Sequence, residues 1–92
     1  MVIDVKIDKL VDNGTELKAF CTATLDGTFA VHGIGLRTCK RGWTVTMPAE
    51  RYKGRDGEEH FRDVFHPITL EARRELEAAA AVAYEAAVTA QQ

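Results

Sequence analysis

Three cations lie within five residues of one another, Arg51, Lys53 and Arg55, with Tyr52 among them and Gly54 and Gly57 punctuating the stretch. Guanidinium and ammonium groups neutralise phosphates, and a phenol ring can stack on a base, so this stretch has the chemistry of nucleic-acid contact. Counting from Arg37 to Arg55 adds Lys40 and Arg41, giving six positive side chains against the single negative Glu50. That local balance of +5 sits in a chain whose formal total is −2, so the remaining residues carry −7 and charge is sorted along the sequence. A weakly acidic total argues against coating nucleic acid by bulk charge, which needs a strongly basic domain. A local patch is the form such binding would take.

Other chemistries lack their residues. His32, His60 and His66 have no i, i+4 spacing and no cysteine partner at short range, so no metal site is expected. Asp63 and His66 could be a base and its orienter, yet no nucleophile accompanies them, and a structural pair is the expectation. No Gly-x-Ser-x-Gly elbow, Walker loop or Gly-x-Gly-x-x-Gly motif is present. Lys53-Gly54-Arg55-Asp56-Gly57 reads as turn chemistry, because no helix follows to supply a dipole for phosphate. Cys21 and Cys39 stand at neither metal-ligand nor redox spacing and are expected to be free thiols. No enzyme, cofactor or small-molecule substrate is expected.

The elements that would present the cations follow from periodicity. Ninety-two residues make one domain, 1–92, with a thin core. No leader and no apolar run long enough to span a bilayer is seen, so a cytoplasmic location is expected. Residues 2–10 place Ile3, Val5 and Ile7 on one side and Asp4, Lys6 and Asp8 on the other, the period of a half-buried strand. Asp12-Asn13-Gly14 should reverse the chain. Residues 16–25 alternate again, with small Ala19, Cys21 and Ala23 on a face that a helix could approach closely. Asp26-Gly27 predicts a type I′ turn. Residues 28–36 form a third strand, with Phe29 and Val31 on one side and His32, Ile34 and Leu36 on the other, and Gly33 and Gly35 mark a bulge or bend.

A basic connector, 38–42, leads to a fourth strand carrying Trp43, Val45 and Met47, which Pro48 ends or confines to an edge. After the cationic loop, residues 61–65 make a fifth strand expected to pair with the fourth. From Thr69, an N-cap candidate, the period becomes helical, with Glu71 in the first turn. Leu70, Ala72, Leu76, Ala79, Ala80, Ala83, Tyr84 and Ala87 form a slim stripe, poor in area because it is mostly alanine. The fold class is therefore α+β: an antiparallel sheet of about five strands, a meander plus a hairpin over residues 2–66, followed by a C-terminal helix over 69–90. The short chain and alanine-faced helix point to a homodimer.

The residues then carry a resemblance. Thr24-Leu25-Asp26, Phe29-x-Val31-His32-x-Ile34, Met47-Pro48-Ala49 with Arg51, and Phe61-Arg62-Asp63-x-x-His66-Pro67-Ile68 resemble the stage V sporulation protein G (SpoVG) family, in order and over nearly the full chain. The resemblance implies a homodimeric, non-enzymatic bacterial regulator that binds DNA, with RNA binding also attributed to the family, and roles in septation, sporulation and gene regulation. The loop 52–60 is longer than the family pattern. Joining both lines, Arg51, Lys53, Arg55, Lys40 and Arg41 are expected on the nucleic-acid backbone, with Tyr52 stacking and Arg73 and Arg74 reaching over from the dimer partner. Arg62, inside a strand, is expected to be structural or ion-paired. A protein-interaction adaptor on the division machinery, without nucleic-acid contact, is the alternative; the acidic total and the edge at Pro48 favour it.

Overall fold

The computed structural model describes residues 1–11 and 14–90. Four strands, β1 (Ile3–Leu10), β2 (Leu17–Leu25), β3 (Phe29–Cys39) and β4 (Gly42–Thr46), form an antiparallel sheet in sequential order. Strands β5 (Ala49–Lys53) and β6 (Glu59–Asp63) form a separate two-stranded sheet, and helix α1 (Leu70–Ala90) closes the chain. The fold is α+β, as the periodicity indicated. Of the predicted Asp12-Asn13-Gly14 reversal, residues 12 and 13 lie outside the described residues.

The meander is built by its turns. Asp26 and Gly27 have φ of 51° and 63°, both positive as a type I′ turn requires. The Thr28 N–H closes the turn on the Leu25 carbonyl at 2.9 Å. Gly33, at φ 78°, lies where the β2–β3 register shifts, between Cys21↔Ile34 and Ala23↔Val31. That bulge flips the strand's parity, which corrects the sequence reading. Ile34 and Leu36 are fully buried, Val31 packs against the same core, and His32 sits on the opposite face. A second bulge, between Ile7 and Lys9, lets both Ile7 and Leu10 reach the core although they stand three positions apart.

The core is thin. Ala19, Cys21 and Ala23 of β2, Ile34 and Leu36 of β3, and Val45 and Met47 meet Leu76 and Ala80 of the helix. Small residues on both sides let the helix sit close to the sheet, and Tyr84 packs its ring 4.9 Å from that of Trp43. Thr69 caps the helix, its Oγ1 accepting the Ala72 N–H at 3.0 Å. Leu70, predicted to lie on the apolar stripe, is instead 62% exposed.

Two further corrections concern the cationic segment. The third strand runs on to Cys39, so the predicted connector shrinks to a tight turn, Lys40-Arg41, closed at Gly42, whose φ of 117° favours glycine. The fourth strand pairs only with β3. Pro48 breaks the ladder, and the stretch read as a loop is itself strand β5, paired with β6. Neither β5 nor β6 packs extensively on the four-stranded sheet or on α1. The hairpin is an arm.

Candidate nucleic-acid interface

The arm's two faces divide its charges. Register pairs Glu50 with Arg62 and Tyr52 with His60 on one face, and Arg51 with Phe61 and Lys53 with Glu59 on the other. On the first face Arg62 Nε donates to Glu50 Oε1 at 2.6 Å, and its guanidinium carbon lies 5.3 Å from the centre of the Tyr52 ring. His60 continues the row, its ring 5.5 Å from that of Tyr52 and its Nε2 3.2 Å from both carboxylate oxygens of Asp56. Asp56 also accepts the Glu58 N–H at 3.0 Å, and this bond, then the one with His60, holds its carboxyl below the usual carboxylate range. Arg62 thus fills the ion-paired role expected of it, with Glu50 as partner. Tyr52, expected to be free to stack on bases, already stacks within its own hairpin.

On the second face Arg51 Nη1 donates to Glu59 Oε2 at 3.4 Å, an exposed pair of small worth. Lys53 stands opposite that carboxylate, and Arg55 sits in the turn beyond, which closes through the Gly54 N–H to the Glu58 carbonyl and the Gly57 N–H to the Gly54 carbonyl, both 3.0 Å. Among the described residues neither Lys53 nor Arg55 forms an ion pair. Both are exposed.

The other predicted cations gather elsewhere. Lys40 and Arg41 occupy the β3–β4 turn, and Arg41 shares a cleft of about 530 Å³ with Arg74 from the second turn of α1. Trp43, Thr44 and Glu77 also line that cleft, together with Cys39 and Leu70. Arg73 is half-buried and does not line it. Lys40, Arg41, Arg73 and Arg74 make no ion pair among the described residues. The eight predicted residues therefore fall into two sets, one on the arm and one where the β3–β4 turn meets the helix. Sequence reasoning missed Trp43 and Thr44 as neighbours of the second set. The only readable signal was an aromatic residue two positions after Arg41.

Elsewhere Asp8, His32 and His66 have local partners. On the sheet face opposite the helix, the Thr22 hydroxyl donates to Asp8 at 2.5 Å, leaving its oxygen to accept from His32 Nδ1 at 3.0 Å. His66 Nδ1 lies 3.2 Å from the Pro67 carbonyl, and no hydrogen bond or ion pair joins it to Asp63, so the structural pair expected of them does not form. Among the described residues no three histidine, cysteine or acidic side chains come together as metal ligands. Both cysteines are free, Cys21 buried and Cys39 exposed. Burial and the nearby Asp8 charge push the Cys21 thiol up to about 11, so it stays protonated. No helix among the described residues is long and apolar enough to cross a membrane.

With the geometry in place, comparison with known proteins is decisive at the level of family. The SpoVG family model matches residues 1–86. The chain belongs to the SpoVG family. A relative from Desulforudis audaxviator, provisionally named septation protein SpoVG, is 42% identical over 84 residues, covering 91% of this chain and 90% of its own. Relatives of the same name from Clostridium beijerinckii and Archaeoglobus fulgidus are 38% and 37% identical. They cover 96% and 91% of this chain and 91% and 93% of their own. None of the three is named as an enzyme. Two of the stretches quoted for the resemblance surround the arm: Met47-Pro48 precedes β5, and in the other Phe61-Arg62-Asp63 lies in β6 and His66-Pro67 leads to the helix cap.

Proposed function

We propose that this SpoVG chain is a non-enzymatic cytoplasmic regulator that works as a homodimer and binds DNA or RNA through phosphate contacts. The observation that carries the reading is a separation of roles among cations. Arg51 and Arg62 are spent on carboxylates of the arm, whereas Lys53, Arg55, Lys40, Arg41 and Arg74 are unpaired among the described residues. Unpaired cations on an arm tip and beside a cleft, in a chain of net charge −2, favour contact with phosphate over self-neutralisation. Arg73, being half-buried, contributes less than its neighbour.

Dimerisation has two supports. A two-stranded hairpin with no sheet or helix behind it is marginal in water, so the arm gains from a second copy. A mainly apolar groove of about 340 Å³, lined in part by Met1, Leu25, Met47 and Phe65, adjoins an open apolar surface at Phe29, Pro48 and Val64. Phe29 and Val64, which both line that surface, are 70% and 65% exposed, apolar groups that a second copy would cover. Equilibrium sedimentation at micromolar concentration should show a species of twice 10.2 kDa.

Binding is tested on duplex DNA and on RNA at low and moderate salt. Measurable affinity that weakens as salt rises supports phosphate recognition; undetectable binding, or binding indifferent to salt, refutes it. The same apolar surface and the septation name carried by relatives favour a second reading, an adaptor on the division machinery. A protein partner retained from nuclease-treated lysate, with no nucleic-acid affinity, would decide for the adaptor.

A further inference from the structure

The cleft beside the β3–β4 turn has the makings of a more specific site than a patch of surface charge. One wall is the indole of Trp43, held from the helix by Tyr84 at 4.9 Å with the rings tilted by 53°. Two guanidiniums, Arg41 and Arg74, enter from the turn and from the helix, and no carboxylate lies within ion-pair distance of either. Glu77 is the one acidic group on the wall, so the lining carries a net +1. A volume of about 530 Å³ lies in the range of pockets that take a small planar ligand, about 300–1,000 Å³. An aromatic wall with flanking cations and a hydroxyl, Thr44, matches a nucleotide better than a simple anion, which would use the cations and leave the indole idle.

We propose that this cleft receives one unstacked base of a single strand, with the phosphates on either side of it held by Arg41 and Arg74. The proposal rests on the nucleic-acid reading above and narrows it. A duplex hides the faces of its bases in its own stack, whereas a single strand offers each base to an aromatic platform. The cleft therefore favours single strands, leaving the arm's unpaired cations to either form.

Trp43 is the only tryptophan in the chain, so its emission reports on the cleft alone. The full chain is titrated with a fluorescein-labelled ten-residue oligothymidylate, an abasic strand of the same length, and a ten-base-pair duplex, following label anisotropy. Unlabelled strands are titrated in parallel while Trp43 emission is followed. Expected are quenching of Trp43 by the oligothymidylate and not by the abasic strand, and affinity for the abasic strand lower by about fivefold or more, the loss of one stacked base. Arg41→Ala and Arg74→Ala, both at exposed positions, should each weaken single-strand binding about fivefold at 0.1 M salt. Their effect on duplex binding should be smaller. Anisotropy that reports binding while Trp43 emission stays constant, or equal affinity for the abasic strand, overturns the cleft assignment and leaves the arm as the site. If no strand or duplex binds, the broader nucleic-acid reading fails and the cleft assignment with it.

Discussion

Replacing Lys53 and Arg55 together by alanine isolates the arm's unpaired cations, because neither is engaged in an ion pair and both are exposed. Each cation that neutralises a phosphate of duplex DNA contributes about 0.9 to the slope of log affinity against log salt. Removing two should therefore flatten the slope by about 1.8. Extrapolated from 1 M to 0.1 M salt, the same exponent amounts to a loss of about 60-fold in affinity, or about 2.4 kcal/mol. Arg51 behaves differently, since Glu59 already holds it at 3.4 Å. Glu59→Gln should release it and tighten binding, steepening the slope by up to about 0.9. Anisotropy titrations at four salt concentrations between 0.05 and 0.3 M, roughly the span over which such slopes are read, give both numbers. Circular dichroism checks that the fold persists. A double variant with weaker binding but an unchanged slope would refute the reasoning, because lost phosphate contacts must lower the ion dependence. So would a Glu59→Gln protein that binds no more tightly than the parent.

Cys21 links stability to alkaline pH. Its folded pKa, about 11, stands above its ordinary 9.0, so its contribution is fully present below pH 9 and is lost between pH 9 and 11. Two pH units correspond to about 3 kcal/mol, and urea melts at pH 7, 9 and 10.5 should show Cys21→Ala losing less stability over that window than the parent. Equal losses would mean the thiol does not remain protonated in the fold. Leu76, 5% exposed, is the one large helix residue in the core, and Leu76→Ala should cost about 2–5 kcal/mol in urea unfolding; a cost under about 1 kcal/mol would show that the helix is not seated as described. Thr69→Ala removes the acceptor for the Ala72 N–H and should cost about 1 kcal/mol, whereas Thr69→Ser should restore most of it.

The meander and the helix were legible because their signals are local. Asp26-Gly27 demands positive φ at both positions, and Thr69 three residues before an available N–H is a cap wherever a helix follows. The parity of the third strand was not legible, since one bulge at Gly33 turns every later side chain over, and a count by twos cannot say on which side of the glycine the extra residue falls. The arm was misread as a loop for a related reason. Arg51, Tyr52 and Lys53 are polar on both faces, so no hydrophobic alternation marks them as a strand, and their partners lie beyond a glycine turn. Of the candidate site, the basic residues could be named but their grouping could not. Arg41 and Arg74 meet only because the helix packs back along β1 and β4.

The arm's charges explain why a strand pair with so little apolar support takes one register. Glu50 with Arg62, Arg62 over Tyr52, Tyr52 beside His60, and His60 with Asp56 form a continuous row on one face, and Arg51 with Glu59 adds a bridge on the other. Cross-strand pairs of these kinds contribute about 0.2–1 kcal/mol each, so the row supplies a few kcal/mol at most. A slip by one residue would place Glu50 and Arg62 on opposite faces and break the row, which selects the register even though the total is small. On the proposed reading, these paired cations contribute less to phosphate contact than the unpaired ones. Lys53, whose cross-strand partner Glu59 is bridged to Arg51, and Arg55, in the turn beyond, form no ion pair among the described residues. Holding the arm's shape falls, on the proposed nucleic-acid reading, to Glu50, Arg62, Tyr52 and His60, and phosphate contact to Lys53 and Arg55.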